Sequence, residues 1–231
     1  MEVLHQLDQE KLDFPPFEQA LNQPNGLLAI GGDLSTKRLL IAYRQGIFPW
    51  YEAAQPILWW HPDPRMVLYP EELHVSRSLA KFIKSHPYRI TCDQDFVGLI
   101  NACAEQRGKG RQGTWITPEM QQAYIRLHTE GWAHSVEVWE QDKLVGGLYG
   151  LAIGAVFFGE SMFSQVNNTS KLAFVTLVRK LQAQDYKLID CQVASKHLSS
   201  LGARDIPRRL FMRQLLEAIE LPRKWHWQEY V

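Results

Sequence analysis

Two polar side chains on an apolar strand are the first candidates for chemistry. The segment LIDCQV, residues 188–193, has the composition of a β-strand and carries Asp190 and Gln192 two positions apart. Alternate side chains of a strand share a face, so Asp190 and Gln192 are predicted to point one way and Cys191 the other. Burying an unpaired carboxylate is costly, so Asp190 needs a partner or a task. A functional site and a structural Asp bonded to a helix end both remain open.

A second carboxylate ends another apolar strand. Glu160 follows AVFFG, residues 155–159, in the segment GESMFSQ. Strict alternation divides this strand into two faces. The predicted members are Phe158, Glu160 and Met162 on one face, and Phe157, Ser161 and Phe163 on the other. A charge at this position is typical of a pocket and also of a plain strand end, and the residues alone leave both interpretations open.

A basic stripe is predicted on a helix between Ser76 and Ser85. At about 100° per residue, cations fall on one side of this helix and apolar side chains on the other. The two sets are Arg77, Lys81 and Lys84 against Leu79, Phe82 and Ile83. Such a stripe suits a phosphate backbone, although it also describes an ordinary solvated face. The segment RGKGRQG, Arg107 to Gly113, adds further cations nearby in the sequence.

Composition and spacing argue against several other kinds of site. The chain has 231 residues, of which 45% are hydrophobic and 22% charged, as in ordinary globular proteins. Lys plus Arg and Asp plus Glu are balanced at 25 each, so a polyanion site must be a local patch. The 8 histidines form no HxxxH or HExxH motif, and we expect no metal and no cofactor. Ser161 lacks the GxSxG context of a hydrolase nucleophile.

Cellular location is suggested by the termini, the apolar runs and the cysteines. The first residues, MEVLHQLDQEKLDFPP, are polar and acidic and resemble no secretory signal. The longest uncharged run, Leu144 to Gly159, is shorter than the roughly 20 residues of a membrane helix. The 3 cysteines are far apart and indicate no disulfide framework. We therefore expect a cytoplasmic protein that does not associate with a membrane. We also expect it to be a monomer.

The elements that must position these residues follow an α+β order. The predicted strands cover residues 27–30, 135–139, 144–153, 155–163 and 187–193, and the predicted helices cover 36–44, 76–85, 118–130, 169–184 and 207–219. Ser35 is the expected N-cap of the first helix. The later elements have the order of GNAT-like acyltransferase domains. Prolines near His61 place a boundary between a small N-terminal α/β domain, residues 1–62, and a mixed-sheet domain, residues 63–231.

An ordered set of short strings resembles the bacterial leucyl/phenylalanyl-tRNA–protein transferases. The strings are GLLAIGGDLS, GIFPWY, PILWWHPDPR, TWIT, AYIRLH, GWAHSVEVW, LVGGLYG, FFGESMFS, SKLAF, LIDCQ and HLSSLGA. They extend from about residue 14 to residue 213, nearly the whole chain. Single strings are weak, but the ordered set is highly specific. The one visible departure is His61, where a serine is expected more often.

The resemblance implies an enzyme that moves Leu, Phe and less readily Met from aminoacyl-tRNA to the α-amino group of proteins beginning with Arg or Lys, which creates a degradation signal. It implies that Asp190 and Gln192 are catalytic and that Glu160 binds the acceptor. The implied pocket for the aminoacyl side chain is formed by Trp50, Trp115, Leu148, Phe157 and Met162. The implied tRNA-binding residues are Arg77, Lys81 and Lys84, the stripe described above.

Two other functions compete with this one. An acetyl-CoA N-acetyltransferase would need a glycine-rich pyrophosphate loop before its helix, but the corresponding segment SQVNNTSK, residues 164–171, has no glycine. A non-enzymatic tRNA- or RNA-binding module would explain the basic stripe and would leave Glu160 and Asp190 without a task. Transfer of labelled Phe from Phe-tRNA to a peptide beginning with Arg separates these alternatives from the transferase.

Overall fold

A computed structural model describes residues 4–108, 115–222 and 225, with the side chains of 106–108 excepted. The strands are β1 His5–Leu7, β2 Leu27–Gly31, β3 Phe48–Pro49, β4 Leu58–Trp60, β5 Arg65–Leu68, β6 Arg89–Cys92, β7 Ala133–Glu140, β8 Lys143–Ile153, β9 Val156–Ser164, β10 Leu188–Gln192 and β11 Arg204–Ile206. The α-helices are α1 Thr36–Arg44, α2 Arg77–Ser85, α3 Phe96–Gly108, α4 Pro118–Thr129, α5 Thr169–Ala183, α6 Lys196–Ser199 and α7 Arg208–Ile219.

A four-stranded sheet occupies the N-terminal part of the chain. Its strand order is β1-β2-β4-β3, with β1 parallel to β2 and the other neighbours antiparallel. Trp59 on β4 is fully buried, and its Nε1 donates to the carbonyl of Gly31 over 2.9 Å. The helix α1 follows β2 and starts as predicted, because the Ser35 hydroxyl accepts from the amide of Arg38. This part of the fold places Phe48, Pro49 and Trp50 beside the larger sheet.

A seven-stranded mixed sheet forms the rest of the fold, in the order β11-β5-β10-β9-β8-β7-β6. Its neighbouring strands are antiparallel except β9 and β10, which are parallel and are joined through α5. Side chains of α2 and α5 enter one hydrophobic core, whereas those of α1, α3, α4 and α7 enter another. The sheet therefore separates two cores, and the predicted α+β class with a mixed sheet is confirmed.

The elements with clear sequence patterns were predicted correctly to within a few residues. These are β2, α1, α2, α4, β7, β8, β9, α5, β10 and α7. The pattern-based prediction missed α3, although its buried residues Phe96, Leu99, Ile100, Cys103 and Ala104 recur at helical spacing on one face. The exposed Val97 and the partly exposed Ala102 are also apolar, so the contrast between the two faces is weak in the sequence. The prediction also missed short strands of two to four residues, such as β5, whose order comes from pairing with distant strands.

The boundary proposed between residues 62 and 63 falls between the last strand of the first sheet and the first strand of the second. His61, the departure from the family strings, is fully buried there against Phe17, with ring centroids 5.3 Å apart. One hydrophobic core includes residues from both sides of the boundary. The division into two domains stays a prediction.

The turn between β8 and β9 provides a stability test. Gly154 has φ +57°, and a Cβ there would lie 2.1 Å from the carbonyl oxygen of Ile219 on α7. Gly131 has φ +81° with nothing within 4 Å of such a Cβ. Gly131→Ala should cost about 1–2 kcal/mol from backbone strain alone. Gly154→Ala should cost roughly 1–3 kcal/mol more, because α7 must move. Equal urea midpoints for the two variants would contradict this packing of α7.

Candidate active site

A cavity of about 440 Å³ opens where β9 and β10 diverge. The two strands pair only from Val156 to Phe158 and from Leu188 to Asp190, although β9 continues to Ser164. The walls of the cavity include Gly159 to Ser164 of β9, the residues Cys191 to Val193, and Ser170, Phe174 and Leu177 of α5. Strand divergence thus creates a space within a sheet that is otherwise continuous.

All five residues predicted for the aminoacyl pocket line this cavity. They are Trp50, Trp115, Leu148, Phe157 and Met162. Trp50 is 44% exposed, and its ring centroid lies 5.7 Å from that of Trp60. The indole Nε1 of Trp60 donates to the carbonyl of Trp50 over 2.6 Å. The cavity therefore combines mostly apolar walls with an aromatic group that faces solvent, and its role in binding an aminoacyl group stays a prediction.

A β-bulge places Glu160, and the predicted alternation of β9 is wrong. In the pairing with β8, Gly150 faces Gly159 and Tyr149 faces Ser161, so Glu160 is an extra residue. The face members change accordingly: Phe157 and Met162 pack with one core, whereas Phe158 and Phe163 pack with the other. A one-residue insertion reverses the side-chain direction beyond it, which a strict period of two cannot anticipate.

Glu160 is almost fully buried and accepts three hydrogen bonds. Its Oε1 accepts from the Tyr43 hydroxyl over 2.7 Å and from Gln192 Nε2 over 2.9 Å, and its Oε2 accepts from the Tyr124 hydroxyl over 2.8 Å. Burial raises the pKa of Glu160 to about 7, and the negative charge of Asp190 acts in the same direction. The three donors oppose this rise. Glu160 is therefore near the midpoint of its titration at neutral pH.

Asp190 lies behind the cavity in a buried ion pair. The Arg65 Nε and Nη2 atoms donate to its two carboxylate oxygens over 2.8 and 2.6 Å, and both residues are fully buried. Arg65 also lies between the rings of Phe48 and Phe211, with its guanidinium carbon 4.7 Å from each centroid. The partner expected from the sequence is thus an arginine on β5, and the alternative of a bond to a helix end is wrong.

Gln192 takes its direction from a second irregularity. The pairing of β10 with β5 shifts between Asp190 and Gln192, and Gln192 has φ +64°. The backbone N–H of Gln192 donates to Asp190 Oδ1 over 2.9 Å, which holds the backbone of Gln192 in this left-handed conformation. Strand alternation therefore does not set the direction of Gln192. Its side chain lines the cavity and reaches Glu160, so the structure brings Asp190, Gln192 and Glu160 into one connected network.

The basic stripe lies apart from the cavity walls. Arg77, Lys81 and Lys84 are exposed on α2, whereas Leu79 is buried beneath them, so the predicted amphipathic helix is confirmed. No residue of α2 is among those that line the cavity. The basic segment from Arg107 to Gly113 lies outside the part of the chain whose side chains are described.

Three residues of the network were not identified as site residues from the sequence. Tyr43, Arg65 and Tyr124 lie on α1, β5 and α4, and each reaches the site from a distant part of the chain. The only local sequence signal for any of the three is that Arg65, a cation, begins the apolar segment RMVL. Within the described residues there is no group of three or more His, Cys, Asp or Glu side chains that would hold a metal, and no helix that would cross a membrane.

Comparisons with known proteins point to one family over nearly the whole chain. A family model described as leucyl/phenylalanyl-tRNA protein transferase matches residues 67–216, and the model of its N-terminal domain matches residues 32–63. A leucyl/phenylalanyl-tRNA–protein transferase of Pseudomonas syringae pv. syringae (strain B728a) is 58% identical over 97% of this chain and 98% of its own. One of Azotobacter vinelandii is also 58% identical, over 96% of this chain and 97% of its own.

Two solved structures show remote similarity. L-PGS from Bacillus licheniformis has a TM-score of 0.42 at 8% identity, covering 73% of this chain and 53% of its own. A GCN5-related N-acetyltransferase from Kribbella flavida has a TM-score of 0.37 at 12% identity, covering 69% and 56%. Scores this low carry no argument about function.

The buried ion pair predicts an asymmetric response to mutation. Asp190→Asn leaves the Arg65 charge buried without compensation, so the free energy of unfolding should fall by about 3–5 kcal/mol. Adding Arg65→Gln should recover most of this loss, because a buried neutral pair carries no uncompensated charge. Urea denaturation measures the free energy of unfolding of both variants.

The matched control is the ion pair between Arg204 and Glu72, whose side chains are 52% and 39% exposed. Glu72→Gln should cost only about 0–1 kcal/mol. If Asp190→Asn costs no more than Glu72→Gln, the pair at the cavity is not the buried contact described above.

Proposed function

We propose that this chain transfers Leu, Phe and less readily Met from aminoacyl-tRNA to proteins that begin with Arg or Lys. The proposal starts from the family: the chain belongs to the leucyl/phenylalanyl-tRNA–protein transferases. Members of this family are aminoacyltransferases, and the chain is an enzyme of that class. On this proposal it acts as a monomer in the cytoplasm, and the added residue marks the acceptor protein for degradation.

The observation that carries the proposal is a mostly apolar cavity with a carboxylate and an amide in its wall. Leu148, Phe157 and Met162 provide apolar surface, and the Cys191 thiol is neutral because burial raises its pKa. Apolar walls favour Leu and Phe side chains, and the flexible Met side chain fits less well. Glu160 and Gln192 provide the polar groups that a reacting amine and ester require.

The reaction needs positioning and proton transfer rather than an energy source. The ester of aminoacyl-tRNA is already activated, so formation of the amide bond requires no ATP. The site must hold the amine next to the ester carbonyl and remove its proton. On this proposal the negative charge of Glu160 favours acceptors whose first residue, Arg or Lys, brings a side-chain cation, and Gln192 lies beside Glu160.

Asp190 acts in this scheme by fixing Gln192. Both of its oxygens are engaged by Arg65, and Oδ1 also accepts from the Gln192 amide. Taking up a proton would break a fully buried ion pair, which is unfavourable. Of the two roles that the sequence leaves open for Asp190, the contacts therefore support positioning over proton acceptance.

The tRNA is proposed to bind at the basic stripe on α2. Arg77, Lys81 and Lys84 present three exposed cations to solvent on one side of the helix. Contacts of this kind to phosphates contribute affinity that depends on salt and not on sequence. One stripe would then serve tRNAs charged with different amino acids.

The direct test is transfer of labelled Phe from Phe-tRNA to synthetic peptides by the purified protein. Peptides beginning with Arg and Lys should become labelled, whereas a peptide beginning with Ala should not, because it brings no side-chain cation. Labelled acetyl-CoA is the matched donor control and should give no transfer. Absence of label in the Arg and Lys peptides, with intact Phe-tRNA recovered, would refute the proposed function.

The tRNA stripe is tested by replacing Arg77, Lys81 and Lys84 together with Ala. Binding of charged tRNA should weaken, and the slope of log K against log salt should flatten by roughly 0.7–0.9 per lost phosphate contact. The control replaces three other exposed cations, Arg179, Lys187 and Arg213, and should leave the slope unchanged. Equal slopes for the parent and the α2 variant would show that the stripe is only a solvated face.

A further inference from the structure

Three oxygen-bearing side chains close a ring of hydrogen bonds beside the cavity. Glu160 Oε1 lies 2.7 Å from the Tyr43 hydroxyl, and Glu160 Oε2 lies 2.8 Å from the Tyr124 hydroxyl. The two tyrosine hydroxyls are also in hydrogen-bond contact with each other. All three side chains are buried, and they come from β9, α1 and α4. We call this set the Glu160 ring.

The number of protons in the Glu160 ring depends on the charge of Glu160. The ring has three oxygen–oxygen contacts, and the tyrosines supply two protons. With Glu160 ionised, one contact therefore has no proton between its oxygens. With Glu160 protonated, each contact has one proton, and the hydrogen bonds can run in a single direction around the ring. The arrangement is built to take up one proton.

The charged and titratable groups around the Glu160 ring do not compete strongly for the proton that the ring takes up. Tyr149 of β8 packs edge-on against Tyr124, with ring centroids 5.5 Å apart. Asp190 of β10 disfavours the Glu160 anion, while the Arg65 guanidinium of β5 pairs with Asp190. His197 of α6 also lines the cavity, and burial lowers its pKa, which makes it a weaker proton acceptor than an ordinary histidine.

We infer that Glu160, with Tyr43 and Tyr124, is the proton acceptor of the proposed transfer reaction, and this inference rests on that function. Gln192 contacts Glu160 Oε1 but is an amide, which has no basic nitrogen. Asp190 is held by Arg65. Glu160 lines the cavity, and of these three groups it is the one that can exchange a proton without breaking an ion pair.

The chemical step balances with one proton moving through the ring. The neutral amine of the acceptor attacks the ester carbonyl carbon, a C–N bond forms, and the surplus proton on nitrogen passes to ionised Glu160. The C–O bond to the ribose then breaks, and the ribose oxygen receives a proton from the ring. The products are an amide and a free hydroxyl, and Glu160 returns to its ionised state.

This role predicts how the rate depends on pH. Glu160 must be ionised at the start of each turnover, and its pKa is raised to about 7. The rate should therefore rise with pH through an inflection near 7, in addition to the inflection of the acceptor amine near about 8. Tyr43 and Tyr124 each lower the Glu160 pKa by donating to it, so removing either hydroxyl should move the first inflection to higher pH.

The test is the pH profile of Phe transfer to an Arg peptide for the parent and four variants. Glu160→Gln keeps the ring closed, because its amide supplies the third proton, but it cannot accept another. The rate should fall by about 10²–10⁴-fold, and only the amine inflection should remain. Tyr43→Phe and Tyr124→Phe should shift the first inflection upward. Tyr69→Phe is the control, because its hydroxyl donates elsewhere, to Gln214 over 2.8 Å.

Each outcome decides one question. An inflection near 7 that persists in Glu160→Gln, or a loss of less than tenfold in that variant, would overturn the inference and point to His197. An inflection that neither tyrosine variant moves would also overturn it, and thermal melting shows which variants are folded. Absence of transfer by the parent protein would instead refute the proposed function.

Discussion

A fully buried ion pair between Arg65 and Asp190 joins the parts of the fold that form the cavity. Arg65 is placed by β5 and held between Phe48 of the N-terminal sheet and Phe211 of α7. Desolvating two charges is costly, so the geometry must be close to ideal. Here Nε and Nη2 of Arg65 donate to the two carboxylate oxygens and two aromatic rings cover the guanidinium, while Nη1 is buried without a hydrogen-bond partner. Because Asp190 is fixed, the next polar residue of β10, Gln192, is fixed as well.

Two local departures from regular strand geometry form the candidate site on this frame. The bulge at Glu160 directs a carboxylate toward α1 and α4, and the register shift after Asp190 turns Gln192 toward the same carboxylate. Beyond this point β9 and β10 no longer pair, so the space between them becomes the cavity. Bulges are common beside functional sites because they redirect a side chain, interrupt the strand pairing locally and bend the strand.

The two carboxylates of the network therefore have different electrostatic environments. Asp190 faces a buried cation, whereas Glu160 faces neutral donors and the negative charge of Asp190. Asp190 forms a bidentate ion pair, whereas burial raises the pKa of Glu160 to about 7. Environments that separate two neighbouring acids in this way assign them different tasks, a pattern known from acid and base catalysis.

The sequence by itself determined the periodic elements, the basic stripe of α2, and the cavity residues identified through the family resemblance. The elements and the stripe follow from local rules, namely N-cap chemistry at Ser35 and helical spacing. The cavity residues follow from the ordered strings that carry the resemblance. Only the tertiary structure decided the partners of the carboxylates, because Arg65 and Asp190 are 125 positions apart and Tyr43 and Glu160 are 117 apart. The direction of Glu160 also came from pairing with β8, since a bulge depends on the register of two strands and not on the pattern of one.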